Sequence, residues 1–114
     1  MSEGFEAGQV VTVFRSRLRD DADPRYESLD AALRDRARSL GGLVDVKSFV
    51  AEDGERVTIV TFADLEAHER WADDPRHRAA QRLGRDGIYE RYSIQVATCT
   101  KTAALAPTLG RPTG

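Results

Sequence analysis

A single cysteine, Cys99, stands in the 114 residues. No intramolecular disulfide can form, and no Cys/His cluster has the spacing of a zinc site, so no metal is expected. Cys99 reads as a small buried hydrophobe at the end of the last strand. No run of about 18 apolar residues is present, so no membrane-spanning helix is expected. The opening residues, MSEGFEAGQ, hold neither the basic nor the apolar segment of a secretory signal, and a reducing cytoplasm is the default location. Charge of one sign is missing too: 17 Lys and Arg stand against 19 Asp and Glu, a net charge of −2. The basic residues are scattered among acids, which favours neither nucleic acid nor an anionic membrane as a partner. Cofactor motifs are absent: there is no GxGxxG after a strand, no phosphate-binding Walker loop and no GxSxG elbow. The lone GRDG at 84–87 reads as a helix stop and turn.

With 32% charged and 40% apolar residues, the chain reads as one globular domain. Residues 1–8 read as a flexible leader and 102–114, rich in Pro, Gly, Ala and Thr, as a flexible tail. Between them, over 9–101, the pattern is β-α-β-β-α-β. The first strand, QVVTVFRSRL over 9–18, puts Val11 and Val13 on one face and Val10, Phe14 and Leu18 on the other. Apolar residues on both faces call for cover on both, and a second subunit is the simplest cover for the second. Asp23-Pro24 opens a helix of about 16 residues. Tyr26, Leu29, Leu33, Ala37 and Leu40 share its apolar face, while Glu27, Arg34, Asp35 and Arg38 lie opposite. Gly41-Gly42 stops it.

The second strand, 43–51, places Val44, Val46 and Val50 on one face. Asp53-Gly54 makes a hairpin turn to the third strand, 56–62, with Val57 and Ile59 on its core face. Asp64 caps a short helix through Trp71. Asp74-Pro75 repeats the cap-and-proline start for a helix to Leu83, ended by Gly84. The last strand begins at Tyr89. The fold class is therefore α+β, a ferredoxin-like antiparallel sheet whose second helix is split.

Chemistry concentrates in Phe62–Tyr92, FADLEAHERWADDPRHRAAQRLGRDGIYERY, which holds the only tryptophan and both histidines. His68 and His77 are nine apart across a helix break, not the i, i+4 spacing of paired metal ligands. His77 falls at about the third position of a helix, where the dipole and free N–H groups favour a neutral imidazole suited to moving a proton. Trp71, on one face with Leu65 and His68, is either core or the wall of a site for a flat aromatic ligand. Phe62, Leu83 and Tyr89 complete the candidate lining. Strict alternation puts Tyr89 and Arg91 together, with Tyr92, Ile94 and Val96 on the other face. Ion pairs with Asp45 or Glu90 would account for Arg15, Arg17 and Arg91.

The pattern VTIVTFADLEAHERWADDPRHRAAQRLGRDGIYERYSIQVATC resembles the antibiotic biosynthesis monooxygenase domain family, and the resemblance spans roughly 9–100. It implies a homodimeric α+β barrel in which two sheets pack face to face. It also implies oxidation of an electron-rich aromatic, of polyketide or quinol type, by O2 without a cofactor. Trp71 matches the family's site tryptophan and Arg91 the arginine twenty residues later. His77 stands in place of a tyrosine, and Ala67 in place of an asparagine. The catalytic set implied is His77, Trp71 and Arg91. Alternatives on the same fold are a non-oxidative polyketide cyclase, a small-ligand-binding dimer, and a haem-binding or haem-degrading branch. That last branch carries a histidine where Gln81 stands here.

Overall fold

The structure, a computed structural model, describes residues 4–22 and 24–105. Among the described residues, four strands and three α-helices follow the order β1 (Val10–Leu18), α1 (Tyr26–Ser39), β2 (Leu43–Val50), β3 (Arg56–Phe62), α2 (Leu65–Ala72), α3 (Pro75–Leu83) and β4 (Tyr89–Thr98). The strands form one antiparallel sheet in the order β2-β3-β1-β4. This is the expected ferredoxin-like α+β fold.

Local chemistry sets the boundaries. The Asp64 carboxylate accepts the Ala67 N–H at 2.8 Å at the start of α2. Asp74 accepts the His77 N–H at 3.1 Å at the start of α3, with Pro75 in the first turn. Each satisfies a donor that the first helical turn leaves unpaired. α1 begins later than expected, at Tyr26, with Arg25 in the capping position and no side-chain cap bond; Asp23 lies outside the described residues. α1 ends where Gly41 and Gly42 both take a φ of 85°, a conformation glycine adopts at little cost. Gly84 does not stop α3. It keeps right-handed backbone angles, and the chain runs on as a π-turn over Gly84–Ile88.

Register decides which side chains face the helices. Thr12 pairs with Val60 and Val96, Phe14 with Thr58 and Ile94, and Ser16 with Arg56 and Tyr92. This even-numbered face carries the helices. Val57 and Ile59 pair with Arg15 and Val13 and so point to the other side, not to the helix face. Four of the seven positions of β3 are apolar and two more are β-branched threonine, so pattern alone leaves its inward face open. Phe62 and Val10 are the largest fully buried side chains. Beyond them the space between helices and sheet is a cavity rather than a packed core.

Two bulges break the alternation. At the start of β2 the register slips between Leu43 and Asp45, so Leu43 and Val46, three apart, both face the cavity. At the start of β4, Arg17 pairs with Arg91 but Leu18 with Tyr89, leaving Glu90 extra. At the chain's ends, the Gly8 N–H donates to Cys99 O and the Cys99 N–H to Gln9 O, both at 2.8 Å. Cys99 itself is half-buried rather than buried, and its thiol donates to Lys101 O. Arg15 and Arg17 find their carboxylates in the β2–β3 hairpin, Glu55 and Asp53, each at 2.7 Å, and not in Asp45 or Glu90.

Candidate functional site

A cavity of about 360 Å³ lies between the sheet and all three helices, large enough for a drug-sized ligand. One end is built by the α2–α3 break. Trp71 and His77 stack with centroids 4.0 Å apart and planes 20° apart. His68 meets the Phe62 ring edge-on at 5.6 Å. All four line the cavity.

His77 is fixed twice. Its backbone N–H is held by Asp74, and its Nδ1 lies 3.0 Å from the Trp71 carbonyl oxygen. A carbonyl only accepts, so Nδ1 carries the proton and Nε2 is left as the basic nitrogen. Burial pushes the imidazole pKa down, against the opposing pull of the Trp71 carbonyl and the Asp74 charge. The neutral form is therefore favoured at neutral pH. On His68, Nδ1 is buried without a hydrogen-bond partner, as is the Thr12 hydroxyl on the cavity floor.

Asp74, 4% exposed, ties this end to α1. One oxygen accepts from Arg36 Nη2 at 2.6 Å and Nε at 3.1 Å, while the other caps His77. The Arg36 hydrogen bond holds the Asp74 carboxyl below its ordinary value. Stabilisation from this pair is complete above the ordinary carboxylate pKa, about 4, and is lost as pH falls through the lower folded value. Arg36→Met should lower the melting temperature clearly at pH 7, because it strands a nearly buried carboxylate. Thermal melts at pH 7 and near pH 3 check this: the gap from the unsubstituted protein should shrink at the lower pH.

The far end is aromatic and charged. Tyr89 packs edge-on against Phe14 (5.3 Å), Tyr26 (6.2 Å) and Tyr92 (5.7 Å). Burial raises the Tyr89 pKa, helped by neighbouring Tyr26 and Asp30 and by a hydrogen bond with Tyr26, so the phenol stays protonated. Arg56 lies over the Tyr26 ring at 5.6 Å. Arg34 bonds Asp30 at 3.0 Å and the Ser48 hydroxyl at 2.6 Å. Asp30, Arg34 and Arg56 all line the cavity. Sequence reasoning missed them: polarity placed Arg34 on the solvent face, yet Tyr26, Asp30, Leu33, Arg34 and Ala37 follow the spacing of one helical face.

Three expected residues are placed elsewhere. Arg91 is not in the lining; the Glu90 bulge turns it to the opposite sheet face beside Arg17, while Tyr89 stays with the cavity. Leu83 is outside the lining, where Ala80 and Gln81 of the same helix contribute. Leu65 is 55% exposed, so it does not share the inward face of His68 and Trp71. Among the described residues, no three His, Cys, Asp or Glu side chains gather as a metal-ligand set, and no helix is long and apolar enough to cross a membrane.

No family model matches the sequence. Over 97 residues the chain is 27% identical to the uncharacterized protein YqjZ of Bacillus subtilis (strain 168), covering 85% of this chain and 84% of that protein. Among solved structures it is similar to SnoaB, a cofactor-independent oxygenase from Streptomyces nogalater. The TM-score is 0.70 at 20% identity, over 84% of this chain and 97% of SnoaB. A Caulobacter crescentus CB15 protein, provisionally named an antibiotic biosynthesis monooxygenase, matches with a TM-score of 0.70 at 11% identity, over 83% and 92% of the two chains. The chain thus has the fold of these proteins, as the resemblance read from its residues implies.

Proposed function

We propose that the protein belongs to the antibiotic biosynthesis monooxygenase family and oxidises an electron-rich aromatic, of quinol or polyketide type, with O2 and without a cofactor. One observation carries the reading. A neutral imidazole, His77, has its Nδ1 proton locked on the Trp71 carbonyl and its ring stacked on the indole at a cavity wall. A flat phenol or anthrone placed against that wall gives its proton to Nε2. The resulting electron-rich anion passes an electron to oxygen, and the substrate supplies the reducing power. His68, Phe62, Trp71 and Tyr89 form the binding surface. The protein acts as a homodimer whose sheets pack through the faces that carry Val11, Val13, Val57 and Ile59, and it works in the cytoplasm.

Oxygen uptake with a panel of anthrones and hydroquinones, with no flavin or metal added, tests this. Uptake above the uncatalysed rate supports the reading; binding without oxygen consumption moves the cavity to a cyclase or carrier role. The acid limb of the kcat/KM profile should have its midpoint below the ordinary histidine value of about 6.5. Burial lowers the His77 pKa, so the basic form persists to lower pH. A limb centred above 6.5 would exclude His77 as the base.

A further inference from the structure

The cavity has a cation that its own walls do not neutralise. Three charged side chains line the far end: Asp30, Arg34 and Arg56. Asp30 is taken by Arg34, which also bonds Ser48, and Ser48 in turn bonds the Thr58 hydroxyl at 2.8 Å. Arg56 lies over the Tyr26 ring, 5.6 Å from the centroid, and its charge also reaches the Tyr89 phenol, but both neighbours are uncharged. Among the described residues no carboxylate pairs with it. The local sum is one negative and two positive charges.

Arg56 and Phe62 are six residues apart on the same face of β3. At about 3.4 Å per residue their backbones stand roughly 20 Å apart. Phe62 belongs to the His68, Trp71 and His77 end. The cavity is therefore elongated, with its basic imidazole near one end and an unneutralised guanidinium near the other.

We propose that the substrate is an aromatic acid: a flat ring system seated at Trp71 and His77, with a carboxylate reaching Arg56. This rests on the aromatic-oxidation reading of the cavity and adds the substrate's charge and its direction of binding. The planar guanidinium fork suits a carboxylate, and lying on the Tyr26 face holds that fork in place at little entropic cost. Asp30 disfavours a second anion alongside, so a single carboxylate fits better than a more highly charged group. Arg56 is then a specificity-determining residue that acts on binding and not on the proton transfer.

Calorimetric titration with anthracene-2-carboxylate and its neutral carboxamide tests the proposal. The unsubstituted protein should prefer the carboxylate by about 10- to 100-fold, the range for a charge-assisted hydrogen bond. In Arg56→Gln the ratio should fall to about one while the carboxamide affinity holds; Arg56→Lys should keep part of the preference. Because the readout is a ratio, a general loosening of the cavity cancels. Equal affinities in the unsubstituted protein, or a preference that survives Arg56→Gln, overturn the anchor and leave the aromatic reading standing. If neither compound binds, the anchor and the aromatic reading fall together.

Discussion

Replacing His77 with alanine should cut catalysed oxygen uptake by about 10²- to 10⁴-fold, the range for losing a positioned general base. The fold should survive, because the helix cap is made by the His77 backbone N–H and not by its ring. Trp71→Phe keeps an aromatic partner for the imidazole, and leaves the carbonyl that orients it, so its effect on uptake should be far smaller. The pair separates two roles for this corner of the cavity. If both substitutions cost equally, the corner acts mainly by shape. If His77→Ala alone abolishes turnover and circular dichroism is unchanged, the imidazole takes the proton. Uptake that persists undiminished in His77→Ala would remove it from the mechanism.

Gly42→Ala should be among the most destabilising substitutions in the chain. Gly42 has a φ of 85°, where a side chain costs about 1–2 kcal/mol. A Cβ there would also collide with the Ala67 Cβ, adding about 1–3 kcal/mol of overpacking. Together they predict a loss of about 3 kcal/mol and a melting temperature lower by roughly 10–20 °C. Gly41 is an internal control: it has the same φ, but a Cβ on it meets nothing within 4 Å. Gly41→Ala should therefore cost only the conformational part, about 1–2 kcal/mol. Denaturant melts of the two variants, compared with the parent, read the difference directly. Ala67 precedes His68, so the close approach at Gly42 also sets how α2 offers His68 to the cavity. Ligand affinity in Gly42→Ala should weaken even in the protein that stays folded.

The elements that carry chemical punctuation are the ones the sequence makes legible. Asp64, Asp74-Pro75, Gly41-Gly42 and Asp53-Gly54 each announce a boundary through a bond or a backbone angle that few residues supply, and each boundary is where it was expected. His68, Trp71 and His77 come together because two capped helices meet at Asp74, which the cap spacing alone conveys. What the sequence hides are shifts of phase. The bulges at the start of β2 and at Glu90 carry no glycine or proline to mark them. A strict two-residue count run through Glu90 therefore puts Arg91 beside Tyr89. Gly84 misled for the opposite reason: glycine tolerates a left-handed stop but does not require one, and here it continues right-handed into the π-turn. Asp30 and Arg34 were hidden by their polarity, since hydropathy assigns charged helical residues to solvent. Their mutual bond and the bond to Ser48 make the inward position tolerable.

The slip at Glu90 means that β4 is read in two frames. From Arg91 onward, pairing with β1 fixes which residues look inward. Before that point the frame is set separately, by the π-turn that delivers Tyr89. Tyr89 is thus on a joint of its own, still paired with Leu18 but out of phase with the rest of β4. One residue added or removed at the joint would swap Tyr89 for a neighbour while leaving the pairing of 91–98 untouched. The scaffold can in this way change what it presents to a ligand without renegotiating how its strands hold together.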